Sequence, residues 1–202
     1  MGINKNAYKN LKEDEHLANF DEGHFSERGA IIVLPKLMQV LATPTALIQG
    51  LQKTRDYLHS NGITVIGNPG SMYNKDLQKA KNFIFGNTDS PFESYFFPSA
   101  LNLSEQFEFH EVLNAAKEQT SWGSGKLNYL SKHIKLFADG AMYSQNMVMR
   151  DGYLDDHQGS WLMSLDTFDN LFKIFWDDGY QIHIHQNGDA ALDRLLLTLE
   201  KN

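Results

Sequence analysis

The chain has 202 residues, 42% apolar and 21% charged, with a net charge of −7 from 18 basic and 25 acidic side chains. This composition suits a globular protein, one large domain or a piece of a bigger one, and the absence of any Lys/Arg cluster argues against a nucleic-acid partner. Cysteine is absent, which excludes disulfides and thiolate ligands, so a bound metal must use His, Asp, Glu or a modified Lys.

Residues 1–30 are polar, with Gly23 to Gly29 reading as a loop, and a short helix is expected over 30–42 with Pro35 weakening its start. Thr43-Pro44 supplies an N-cap and a proline at the first helical position. Leu47, Leu51 and Leu58 keep to one face of that helix, and Asn61-Gly62 stops it. Ile63 to Ile66 reads as a short β-branched strand, 74–85 as a helix and 94–97 as a strand. Ser104 is placed as the cap of a helix running to about Lys117, and 122–128 as a Gly/Ser-rich loop ahead of a strand over 133–139. A long loop spans 140–163. Ser164 then caps a helix with the stripe Phe168, Leu171, Phe172 and Phe175, ended by Gly179. The last strand holds His183 and His185. Asp189 is expected to cap a final helix with the stripe Leu192, Leu195, Leu196 and Leu199. No apolar run approaches the roughly 20 residues of a membrane span, and no leader opens the chain, so a cytoplasmic protein with no membrane partner is expected.

Strand and helix alternate about four times, which predicts an α/β fold with a parallel sheet and right-handed crossovers. Polar residues along one strand face, gathered towards the C-terminal ends, favour the inside of a barrel over a doubly wound sheet.

Two strands carry the chemistry. Along 133–139, Ile134, Leu136 and Ala138 share one face, and His133, Lys135, Phe137 and Asp139 share the other. Along 181–185, Ile182 and Ile184 oppose His183 and His185, whose imidazoles project the same way about 7 Å apart. Burying Lys or His is costly unless it is paired or bound to a metal. For His-x-His the alternatives are a metal site, or one core His with a backbone partner and one exposed His. For Lys135 they are a site residue, a side chain snorkelling to solvent, or a pair with Asp139. Asp139-Gly140 reads equally as a turn that ends its strand.

The two motifs together resemble the amidohydrolase superfamily, in the subgroup typified by YtcJ-like proteins and N-substituted formamide deformylase. Ile134-Lys135-Leu136-Phe137-Ala138-Asp139-Gly140 is similar to that group's "VKLFxDG" strand, 180–193 to "WQVAIHAIGDRAVD", and 50–70 to "AL…LNSxGITTVHDAG". The resemblance spans roughly residues 20–202. It implies a (β/α)8 TIM barrel with a small β-sandwich. It further implies one or two divalent metals, expected to be zinc, that activate water against an amide or related C–N bond of a small-molecule substrate. On this reading Lys135 is a metal ligand, carried as a carboxylated (carbamate) side chain, and His185 is a second ligand. His183 aligns with an apolar or small position. Asp139, His183, Asp189 and His24 are candidates for the substrate pocket or for supporting the ligands. No catalytic residue is assigned.

The chain departs from the pattern in three places. Gly67-Asn68-Pro69-Gly70 stands where the group has "HDAG", and Ala141-Met142-Tyr143-Ser144-Gln145 where it often has "SLGSRTA". The first-strand His-x-His is missing from residues 1–62, and a later His and Asp are expected beyond Asn202. The expectation is therefore a partial barrel of about strands 2–5. Residues 1–44 would be a loop and helical segment lining it, and 45–202 its central βα units. Such a fragment of a hydrolase would have little activity by itself. The alternative is a non-catalytic α/β binding or interaction remnant. Open strand edges also allow a homo-oligomer.

Overall fold

The computed structural model describes residues 18–41 and 43–202; the remainder of the expected 1–44 segment lies outside the described residues. Strands β1 (Ala18–Asn19) and β2 (His24–Phe25) form an antiparallel pair. Their turn is held by Asn19, whose side-chain oxygen accepts from the Asp21 and Glu22 amides. A 3-10 turn over Glu27–Ile32 leads into α1 (Leu34–Leu41). Pro35 falls in the first turn of α1, where no intrahelical N–H is required. Helix α2 (Pro44–Ser60) starts and stops where expected. The Thr43 hydroxyl accepts from the Ala46 amide at 3.2 Å, and Gly62 takes a φ of +73°.

The rest is built from parallel strands alternating with helices: β3 (Val65–Ser71), α3 (Lys75–Phe85), β4 (Glu93–Pro98), α4 (Ala100–Ser104), α5 (Val112–Thr120), β5 (Leu127–Tyr129), β6 (His133–Phe137), α6 (Leu165–Asp177), β7 (Gln181–His185) and α7 (Asp189–Glu200). Three parallel strands run in the order β3-β4-β5, and β6 and β7 form a parallel pair. A parallel bridge between Ser99 and Lys135 joins the two groups. The helix side of β3, β4 and β5 buries Ile84, Phe85, Phe92, Phe96 and Leu127, with Ile48, Leu51 and Leu58 of α2 packed against them. The helix side of β6 and β7 packs on Phe168, Leu171, Phe172 and Phe175 of α6 and Ala191 of α7. Each cluster removes several large side chains from water, at roughly 1.5–3 kcal/mol apiece.

Four expectations need correction. Strand β3 starts at Val65 rather than Ile63 and runs past the expected end at Ile66, through Gly67-Asn68-Pro69-Gly70. Proline is tolerated because β3 is an edge among the described residues, and the register shifts between Pro69 and Ser71 where Gly70 adopts φ +97°. Ser104 does not cap a long helix. It closes the short α4, its hydroxyl donating back to the Leu101 carbonyl, and α5 begins only at Val112. The Ser99 side chain performs the capping, accepting from the Asn102 amide. The supposed loop 122–128 ends in β5, and Lys132 at φ +55° separates β5 from β6. Finally, the N-cap of α7 is Gly188 rather than Asp189, and the helix turns Ala191, Leu195 and Thr198 inward. Leu192, Leu196 and Leu199 lie 42–48% exposed.

Candidate functional site

Strand alternation places the ionisable residues as expected. Ile134 and Leu136 are fully buried on the helix side, while His133, Lys135 and Phe137 are half-buried on the opposite face. Strand β7 lies in register beside them, with Lys135 opposite His183 and Phe137 opposite His185. Two further strands border the same face. Phe97 of β4 packs on His183 with ring centroids 4.4 Å apart and on His133 at 5.8 Å. On β3, a side chain at Gly70 would meet Lys135 Cγ and Phe137 Cζ, both at 3.4 Å.

His133 and His183 are a bonded pair, Nδ1 of the first lying 2.9 Å from Nε2 of the second, with the rings stacked at 5.1 Å. One ring must donate and the other accept, so both cannot be charged together. Burial, and then the positive potential of His133 and Lys135, hold the His183 pKa below its ordinary value. Burial likewise lowers the Lys135 pKa, and its ammonium sits 5.2 Å from the Phe137 ring centroid. His133 was legible only as a member of the ionisable face; nothing in the sequence marked it as the partner of His183.

At the C-terminal end of the strands, Asp139 is fully buried. Its carboxylate accepts from three backbone amides: Asn187 at 2.9 Å, Gly188 at 2.8 Å and Val148 at 2.9 Å. Asp139 thus ties the end of β6 to the turn after β7 and to the long loop, and it does not form the ion pair with Lys135 that the sequence allowed. Gly188 is required there because a Cβ would fall 1.9 Å from the Val148 carbonyl oxygen. The Asn187 side chain donates to the Gly140 carbonyl at 3.0 Å and lies 2.9 Å from His185 Nε2. The sequence presents Asn187 merely as a turn former beside Gly188.

The remaining candidates stand apart from this cluster. Asp189 accepts from the Arg150 amide at 3.0 Å, and the Arg150 guanidinium forms a two-pronged pair with Asp193, both contacts 2.6 Å. These are surface links between the long loop and α7. His24 lines a separate open groove with Phe25, Ser26, Tyr143, Ser144 and Gln145.

Lys135, His183 and His185 share one face, but among the described residues no group of three or more His, Asp or Glu is placed to hold a metal. Asp139 has both carboxylate oxygens committed to amides, His183 is bonded to His133, and His185 Nε2 faces Asn187. The donors present do not fit a closed metal centre as they stand.

No family model matches the chain, and no curated protein matches it. Two solved structures share its fold. One is the crystal structure of an uncharacterized metal-dependent hydrolase from Pyrococcus horikoshii OT3, with a TM-score of 0.60 and 16% identity over 92% of this chain. The other is an uncharacterized metal-dependent hydrolase from Pyrococcus furiosus, with a TM-score of 0.58 and 18% identity over 90% of this chain. The chain spans 36% and 37% of the length of those two proteins. Among the described residues no helix is long and apolar enough to cross a membrane.

Proposed function

We propose that this chain is the central part of a metal-dependent amidohydrolase, with β3 to β7 forming about half of a (β/α)8 barrel. The observation that carries the reading is the face shared by Lys135, His183 and His185 on paired parallel strands, in a fold shared with two metal-dependent hydrolases. Lys135 and His185 are the ligands this chain contributes towards a divalent metal, taken to be zinc, and the remaining ligands come from outside the described residues. The lowered Lys135 pKa supports the carboxylated form, because the neutral amine is the species that takes up carbon dioxide. The substrate is a small molecule with an amide or related C–N bond, the setting is the cytoplasm, and residues 1–44 lie along the barrel. Edges at β3 and β7 that are open among the described residues support self-association as well.

A second reading, a non-catalytic binding remnant, is favoured by the absence of a complete donor set among the described residues and by Gly67-Asn68 standing where the resembled pattern has His and Asp. Zinc binding to the purified chain separates the two. The hydrolase reading expects weak binding that Lys135→Ala and His185→Ala abolish. Binding untouched by either substitution removes the ligand assignment. The chain by itself is expected to turn over amides poorly; turnover comparable to a complete enzyme would overturn the view that ligands are missing.

A further inference from the structure

A chain of side-chain hydrogen bonds joins α3, β5 and α5 to the end of β3, and its directions are fixed from one end. The Asn82 side-chain nitrogen donates to the Trp122 carbonyl at 2.7 Å, which leaves Asn82 Oδ1 to accept from Gln78 Nε2 at 2.8 Å. Gln78 Oε1 then accepts from the Tyr129 hydroxyl at 2.9 Å. A backbone carbonyl can only accept, so no amide in this chain can be turned round. Tyr129 has given its proton to Gln78, and its oxygen is left as an acceptor. Gln119 Nε2 lies 3.4 Å from that oxygen, and is held more closely by the carbonyls of Met72 at 3.1 Å and Ser71 at 3.2 Å. Those two carbonyls fix the Gln119 amide as well, so Oε1 is the end without a donor.

Gln119 is fully buried, and Ser71 and Gln78 are nearly so. Gln119 Oε1 and the Ser71 hydroxyl have no hydrogen-bond partner among the described residues. Burial raises the Tyr129 pKa, and the side chains of Gln119 and Ser71 oppose the rise, so both lie beside the phenol. Unbonded polar atoms in an interior are costly and are normally satisfied. Gln119 Oε1 can only accept, Tyr129 Oη has acceptor capacity left, and the Ser71 hydroxyl can donate. One molecule with two hydrogens and a lone pair answers all three. Among the described residues no carboxylate bonds to any member of the cluster, so a cation would sit there uncompensated. We propose that Ser71 Oγ, Gln119 Oε1 and Tyr129 Oη form a binding site for a single internal water molecule, which locks Gln119 onto the end of β3. Three partners is the usual number for a buried water. The Ser71 carbonyl also accepts from the Ser99 amide at 3.1 Å, so the water secures the last contact between β3 and the chain leaving β4. Gly70, whose Cβ would meet Lys135 and Phe137, is the next residue along.

The test uses the full chain with solvent water as the probe. Oxygen-17 relaxation dispersion counts long-lived internal waters, and Gln119→Met should lower the count by one. Ser71→Ala keeps the Gln119 carbonyl contacts and should shorten the residence of that water, with severalfold faster exchange of the Ser99 amide. Should Gln119→Met fail to fold, Ser71→Ala decides by itself. A parent chain without a long-lived water overturns the proposal, as does a water signal that Ser71→Ala leaves unchanged. A high-resolution crystal structure in which the Ser71 hydroxyl bonds directly to Gln119 Oε1 or Tyr129 Oη, with no water between, overturns it too.

Discussion

The Gly188 amide donates to Asp139 Oδ2 at 2.8 Å, joining residues 49 apart in sequence. The same oxygen accepts from Val148 and its neighbour from Asn187. A single carboxylate therefore holds together the end of β6, the turn after β7 and the long loop between them. Replacing Asp139 with Ala would leave three backbone donors without an acceptor in a buried place, at about 1–3 kcal/mol for each one that water cannot reach. Asp139→Ala should lower the urea midpoint by an amount corresponding to about 3 kcal/mol or more, and Asp139→Asn by less. A midpoint within experimental error of the parent would show that the three contacts are dispensable.

Gly188→Ala puts a methyl group 1.9 Å from the Val148 carbonyl oxygen. Backbone on one side and a helix start on the other leave little room to relax. A loss of about 1–3 kcal/mol is expected, the range of overpacking in a closed site. Thermal unfolding followed by circular dichroism measures it, and an unchanged midpoint would mean that the loop moves away freely.

The inward face of α7 can be checked with two leucines. Leu195 packs against the core, whereas Leu196 is 48% exposed. Leu195→Ala is expected to cost about 2 kcal/mol and Leu196→Ala less than about 0.5 kcal/mol. Equal losses would place the helix in a different rotation.

His157 provides a pH-dependent contact in the long loop. Its Nε2 faces the Gln145 carbonyl at 2.8 Å and its Nδ1 faces the Asp155 carboxylate, so both nitrogens favour carrying a proton. The Gln145 carbonyl raises the pKa above the ordinary 6.5, burial opposes it, and Asp155 adds to the rise. A raised folded-state value means that the contribution to stability is complete below about pH 6.5 and fades as pH climbs through the folded value. Amide exchange at residues 145–157 should quicken over that interval, and His157→Gln should remove the dependence. Exchange that slows with pH after correction for the intrinsic rate would reverse the sign.

The sequence carried the local signals well. Thr43-Pro44 and Ser164 each have a capping oxygen in the right place, and both helices begin there. The alternation of Ile134, Lys135, Leu136 and Phe137 was sufficient to separate the helix side from the ionisable face. What escaped depends on partners distant in sequence. Pro69 is tolerated in a strand because β3 is an edge among the described residues, which composition does not show. Ser104 has the chemistry of a cap, but its hydroxyl turns back to Leu101. Leu192 and Leu196 satisfy a helical stripe as well as Ala191 and Leu195 do, and only the position of α6 and the sheet decides between them. Asp139 was legible as polar and strand-terminal, but its three amide partners come from two later segments.

The loop after Gly140 has both of its ends sewn to the same short stretch just past β6. The Val148 amide reaches Asp139, the Gly140 amide reaches the Ser160 carbonyl, and the Leu162 amide reaches Ala138. Arg150 and His157 add tethers from within, leaving only 151–156 between them. Within those six positions the Tyr153 amide donates to the His157 carbonyl and the Asp155 carboxylate faces the His157 ring, so the outer bend is braced on His157 while the stitching at 138–140 anchors its ends. A change in 151–156 is therefore felt first at His157 and only then at the histidine-bearing turn.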